Sequence, residues 1–118
     1  MGKNRAIGSE KEALAAKYLE GLGFKIVERN FNSRNSEIDI IAKDGKYLCF
    51  VEVKYRENSR LGTAIEAVTF EKMGSICRGA MFYMKKNGYG EGTPVRFDVV
   101  AIDGEEIKLV KNAFDFAL

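Results

Sequence analysis

Residues 37–54 read EIDIIAKDGKYLCFVEVK, two apolar runs on either side of Asp44-Gly45. The branched and aromatic residues of each run favour strands. Asp-Gly between them favours a two-residue type I′ hairpin, because both positions tolerate positive φ. Each run nevertheless carries acids, with Glu37 and Asp39 in the first, Glu52 in the second, and Lys54 two places further on.

With Asp44-Gly45 as the loop, Lys43 pairs with Lys46, and the register runs outward to set Asp39 against Phe50 and Glu37 against Glu52. Alternation then puts Glu37, Asp39, Glu52 and Lys54 on one face and Ile38, Ile40, Val51 and Val53 on the other. Asp39 and Glu52 become diagonal neighbours, roughly 7–8 Å apart at the backbone. Across that separation two carboxylates can share one cation. Without a cation or a lysine, like charges so placed cost stability. Ile41, Leu48 and Phe50 share the acidic face, so the carboxylates sit in partly apolar surroundings. Spacing alone leaves open a plainer reading, the wet face of a half-exposed hairpin.

Upstream of the hairpin, Ser9 and Glu12 have the spacing of a capping box, and Leu14, Ala15, Tyr18, Leu19 and Leu22 keep helical intervals until Gly23. FKIVERNF (24–31) reads as a strand, and NSRNS after it as turn chemistry. Downstream, RENSRLGTAIEAV is a polar excursion. From Thr69 to about Asn87 the apolar positions Met73, Ile76, Cys77, Ala80, Tyr83 and Met84 recur at three and four, and Gly88 can end that helix. VRFDVVAI (95–102) is a strand, Asp103-Gly104 a turn, EEIKLV a partner strand and NAFDFAL a packed tail. The order is α, three strands, α, then one or two strands. It predicts a single α/β domain over 1–118 with a mixed central sheet flanked by helices. The 95–102 strand is expected to return parallel to a neighbour after the second helix.

The chain's 118 residues suit one compact domain, and 46% hydrophobic against 31% charged is a globular balance. Histidine is absent. That excludes Ser-His-Asp and Cys-His nucleophile systems and any imidazole base, and leaves carboxylates, lysine, tyrosine or a metal. A net charge of +2 is too small for a broadly basic surface, so a polyanionic partner would need a local patch. Cys49 and Cys77 lie in apolar stretches and read as buried thiols instead of a disulfide or a zinc site. No apolar run reaches the roughly 18 residues of a membrane span. MGKNRAIGSEKE has charge but no apolar signal segment, so a cytoplasmic protein without a membrane partner is expected.

An acid on one strand followed by Glu-Val-Lys on the next resembles the PD-(D/E)XK nuclease superfamily, and the order of elements is similar to its restriction-endonuclease-like αβββαβ core. YLEGLGFKIVERNF, EIDIIAKDG, FVEVKYR, RFDVVAID and NAF resemble, over nearly the whole chain, the YraN-like family of small bacterial proteins. Holliday junction resolvase-like endonucleases of the superfamily also have a glutamate in the first helix, which Glu12 matches. The resemblance implies Mg²⁺ or Mn²⁺ held by Asp39, Glu52 and Glu12, with Val53 in the ligand set. It also implies Lys54 orienting the attacking water or stabilising the pentavalent phosphate, and Glu37 as a further ligand or base. Three positions depart from the pattern: Ser36 and Lys11 stand where glycine usually does, and Met73 follows Lys72 where glutamine is common.

The function so implied is metal-dependent hydrolysis of phosphodiester bonds in DNA, branched or repair intermediates included. Nucleic acid is the partner, and a homodimer is the arrangement that would cut two strands. Arg56 and Arg60, with Tyr55, are candidates to grip phosphates. Other readings stay open at this point. Glu12 could serve only its capping box, Lys54 could snorkel at a strand end, and Asp98 reads as structural. The domain could also bind nucleic acid without cutting it, or act as an interaction module that docks through Phe114, Phe116 and the sheet edge.

Overall fold

In a computed structural model that describes residues 2–58, 60 and 62–116, helix α1 (Gly2–Gly21) leads into strands β1 (Lys25–Ser33), β2 (Ser36–Asp44) and β3 (Tyr47–Arg56). A 3₁₀ turn at Ile65–Ala67 and helix α2 (Phe70–Lys86) connect β3 to β4 (Val95–Asp103), and β5 (Glu106–Phe114) follows. The five strands lie in sequence order in one sheet, antiparallel throughout except where β4 runs parallel to β3. A parallel neighbour requires a long crossover, and α2 supplies it. The αβββαβ order expected from the sequence is therefore present, with β5 added beyond β4.

One helix covers each face. α1 buries Ala15, Ala16 and Leu19 against Ile40, Ala42, Cys49, Val51, Val100 and Ile102. On the other face α2 buries Ile76, Cys77, Ala80 and Tyr83 against Ile38, Ile41, Leu48, Phe50 and Phe97. Burial on both sides explains why the hairpin runs are apolar almost throughout and do not alternate cleanly. Among the described residues no helix is long and apolar enough to cross a membrane.

Two expectations at the chain's ends are corrected. α1 begins at Gly2, so Ser9 lies inside the helix and the expected capping box does not mark its start. NAF belongs to β5 and is not part of a tail. β5 spends extra residues between the pairs Val99↔Val110 and Phe97↔Phe114, with Asn112 in the left-handed region at φ 52°. That bulge aims the Asn112 N–H at Asp98 Oδ1 (2.9 Å). Asp98 is 0% exposed and also accepts from Arg96 Nε and Nη2 at 2.9 and 2.8 Å. Arg96 Nη2 reaches Asp44 Oδ2 at 2.9 Å as well. Asp98 is thus a structural anchor between β4 and β5, as its place in the sequence suggested. α2 starts where expected, with Thr69 Oγ1 accepting the Lys72 N–H (3.1 Å).

Candidate functional site

The hairpin register sets the site, and it differs from the sequence reading by one step at the turn. Asp44 pairs with Tyr47 and Lys43 with Leu48, so the loop is Gly45-Lys46. Gly45 takes φ 59° while neither Asp44 nor Lys46 has positive φ. This is the pattern of a type II′ turn, which needs glycine only at its first central position. The ladder between β2 and β3 then runs to Ile40↔Val51 and stops there. One step beyond that pair stand Asp39 and Glu52, facing each other directly instead of diagonally.

At Asp39 the two strands separate. Ile41 packs on the α2 side and Ile40 on the α1 side, but Ile38 packs on the α2 side again. Alternation slips by one residue at Asp39, so Glu37 turns toward α1 and does not share a face with Glu52 and Lys54. Ser36, its neighbour, points the other way and donates from Oγ to the Ser75 carbonyl of α2 (2.6 Å). The lost ladder contact is replaced by a side chain: Val53 N–H donates to Asp39 Oδ2 at 2.8 Å. A backbone donor that would otherwise be orphaned fixes the carboxylate.

Asp39 joins two groups of acids. Carboxylate oxygens of Glu12, Glu37 and Asp39 lie within 4.8 Å of one another, and Gly8, Ser9, Glu12, Asn30 and Glu37 line a cavity of about 350 Å³. α1 has no capping role for Glu12 at this depth in the helix, so the side chain is available to that cluster. Burial holds the Glu12 carboxyl above the usual range, aided by the charges of Asp39 and Glu37 and opposed by Arg29 and Asn30. On the other side is Glu52, only 3% exposed, with Asp39 at 7%. Burial, and then the Asp39 charge, push the Glu52 carboxyl far above an ordinary glutamate, while Lys72 and Lys54 pull it back. Glu52 Oε1 is buried without a hydrogen-bond partner. Carboxylate oxygens are hard donors of the type that Mg²⁺ and Mn²⁺ prefer; those that come together here are from Glu12, Glu37 and Asp39, with Glu52 outside the group.

Lys54 lines a second cavity of about 350 Å³ with Ala67, Thr69, Glu71, Lys72 and Ser75. Lys72 Nζ comes within 3.9 Å of Glu52 Oε2, so two ammonium groups border the acids. Lys72 has no distinguishing spacing in the sequence and stands out there only through the resemblance, as the second-helix lysine that Met73 follows. What points to it is topology: a crossover helix that starts past the end of β3 presents its first turn to the residues there. The other expected phosphate contacts do not gather. Tyr55 packs on the α1 side with Lys11 Nζ 4.5 Å above its ring, facing away from Lys54. Arg56 follows Lys54 on its own face and keeps a buried Nε without a partner, and Arg60 is exposed. Phe114 stacks on Phe97 (5.1 Å) and Phe116 meets the same ring edge-on (4.8 Å).

The family model described as "Uncharacterised protein family UPF0102" matches residues 11–102. A UPF0102 protein of Lachnoclostridium phytofermentans is 49% identical over 108 residues, 92% of each chain. One from Vibrio vulnificus is 43% identical over 112 residues, again 92% of each chain. One from Legionella pneumophila is 41% identical over 110 residues, 92% of this chain and 93% of the relative.

Proposed function

This chain belongs to the uncharacterised protein family UPF0102, a membership that carries no activity, and we propose from its site that it is a metal-dependent nuclease hydrolysing phosphodiester bonds in DNA. The observation that carries the reading is Asp39 at the point where β2 and β3 part. It is tethered by Val53 N–H and flanked by Glu12 and Glu37 on one side and the buried, half-unpartnered Glu52 on the other. Asp39 and Glu52 are buried, Glu12 is half-buried and Glu37 is exposed, and two buried carboxylates side by side are costly unless a cation or a proton is shared between them.

Asp39, Glu52 and Glu12 would hold Mg²⁺ or Mn²⁺, with Glu37 beside them and Val53 orienting Asp39 through its amide. Such a cation supplies Lewis acidity toward a phosphoryl oxygen and lowers the pKa of water near neutral pH. The chain's own groups do the rest. One Asp39 oxygen is fixed by the Val53 N–H, which leaves the other free to face the site. Lys54 offers fixed positive charge where negative charge grows on the phosphate, and Lys72 balances Glu52 while bordering the same cavity. In a chain without histidine, Glu37 beside these ligands is the group left to accept a proton.

Calorimetric titration of Mn²⁺ and Mg²⁺ into the protein and into Asp39→Asn and Glu52→Gln, alongside cleavage of forked, gapped and four-way DNA, tests this. Binding and cleavage by the parent, with both lost in the variants, is the expected result. Equal metal affinity in all three proteins with no cleavage of any DNA overturns it. A second reading has its own observation. Met81, Met84, Tyr89, Val95 and Phe116 line an apolar groove of about 760 Å³ at the far end of α2, which suits a docking role. Loss of an assembly in Phe116→Ala with cleavage intact would favour it.

A further inference from the structure

Phe70 is the first residue of α2 and is 90% exposed. The fold gains almost nothing from it, since a phenylalanine contributes when it is buried. Its position is what matters. Thr69 precedes it and Lys72 follows two residues later, and both line the cavity that holds Lys54. In a helix the Cα–Cβ bond tilts toward the N-terminus, so at the first position the ring leans past the start of α2 into solvent, outside the cavity but at its lip, between the lining residues Thr69 and Glu71. The charges around the cavity call for a phosphate backbone, and an exposed ring beside such a backbone calls for the face of a base.

We propose that Phe70 is a stacking platform for an unpaired nucleobase next to the phosphate held at Lys54 and Lys72. The substrate of the site is then DNA with unstacked bases, such as a single-stranded, gapped or forked segment, and not continuous duplex. This rests on the nuclease reading above. A flat ring cannot reach a base inside an intact stack, whereas every unpaired base offers a π-face, and such stacking is sequence-tolerant.

The test measures binding by fluorescence anisotropy, for the parent chain, Phe70→Ala and Phe70→Trp, on labelled single-stranded, gapped and fully paired DNA of equal length. Oligomeric state is followed by light scattering. The stacking role predicts that Phe70→Ala loses roughly 5- to 150-fold in affinity for single-stranded and gapped DNA, keeps its weak affinity for duplex, and that Phe70→Trp restores the preference. A 2-aminopurine placed in the gap should change its emission on binding the parent and the Trp variant but not the Ala variant. Parent-like affinity of Phe70→Ala on gapped DNA, with cleavage intact, overturns the stacking role and leaves the nuclease reading standing. An equal loss on all three DNAs together with a change in oligomeric state also overturns it and assigns Phe70 to a contact between copies. No DNA binding and no metal response by the parent would overturn both.

Discussion

Replacing Glu52 by glutamine should make the protein more stable in alkaline buffer while removing its metal response. An ordinary glutamate ionises near pH 4.5, and in the fold burial first and the Asp39 charge second push Glu52 up to about 9. Between those values the folded chain keeps a proton that the unfolded chain releases. The stability this group contributes is therefore fullest below pH 4.5 and is lost as pH climbs toward 9. At ~1.4 kcal/mol per pH unit, the loss by pH 7 has a ceiling of roughly 3 kcal/mol. In a domain of this size that is on the order of 10 °C in Tm. Glutamine keeps the shape and does not ionise, so the Tm of the variant should overtake that of the parent as the buffer moves from pH 5 to pH 8. Saturating Mn²⁺ at pH 8 should raise the parent's Tm, because the cation binds the ionised carboxylate, and should barely move the variant. Circular dichroism melts at pH 5, 6, 7 and 8, with and without Mn²⁺, check both. Parallel Tm curves for the two proteins across that range would refute the claim that Glu52 carries the strain of the site.

Three further substitutions or treatments probe the frame that holds the acids. Gly79→Ala improves intrinsic helix propensity, yet an added Cβ runs into Ser36 Oγ and crowds Ile38; chemical denaturation should show a net loss of roughly 1–3 kcal/mol. Asp98→Ala leaves Arg96 and the Asn112 amide without their shared acceptor and should cost roughly 3–5 kcal/mol by the same measurement. The Cys49 thiol is pushed up to about 12, chiefly by burial, so native protein at pH 8 should leave it unmodified by iodoacetamide and denatured protein should not, as peptide mass analysis will show.

The elements were largely legible because their signals are local. Period 3.6 over 69–87, glycine after it, and branched runs either side of a turn dictate helix and strands whatever surrounds them, and the parallel return of β4 follows from the length of the crossover. The details of the site were less legible because they depend on things that composition does not encode. Gly45 can take either central place of a two-residue turn, and sliding the loop from Asp44-Gly45 to Gly45-Lys46 moves Asp39 from the Phe50 position to face Glu52. The departure of β2 from β3 is set by packing: Ile38 is drawn toward Ile76 and Gly79 under α2, and that pull turns Glu37 toward α1. The resemblance marks Lys72 as the second-helix lysine, but its place beside Glu52 became visible only once α2 was laid across the end of β3. Tyr55 and Arg56 looked like one basic-aromatic unit in sequence, but adjacent strand residues point to opposite faces, so they are parted by geometry. The capping box at Ser9 was a true local preference overridden by a helix that begins earlier.

The hydrogen bond from Val53 to Asp39 gives the molecule a built-in reporter. An amide proton held by a carboxylate resonates far downfield, and its shift and its exchange with deuterium follow the charge on that carboxylate. A single peak in a ¹⁵N correlation spectrum therefore registers whether Asp39 is shared with a cation, protonated, or released from the backbone. Because this donor sits where two strands let go of each other, the same peak also tracks any motion that widens or closes the cleft. The occupancy of the site and its opening can be followed together without a substrate, a label or a catalytic turnover.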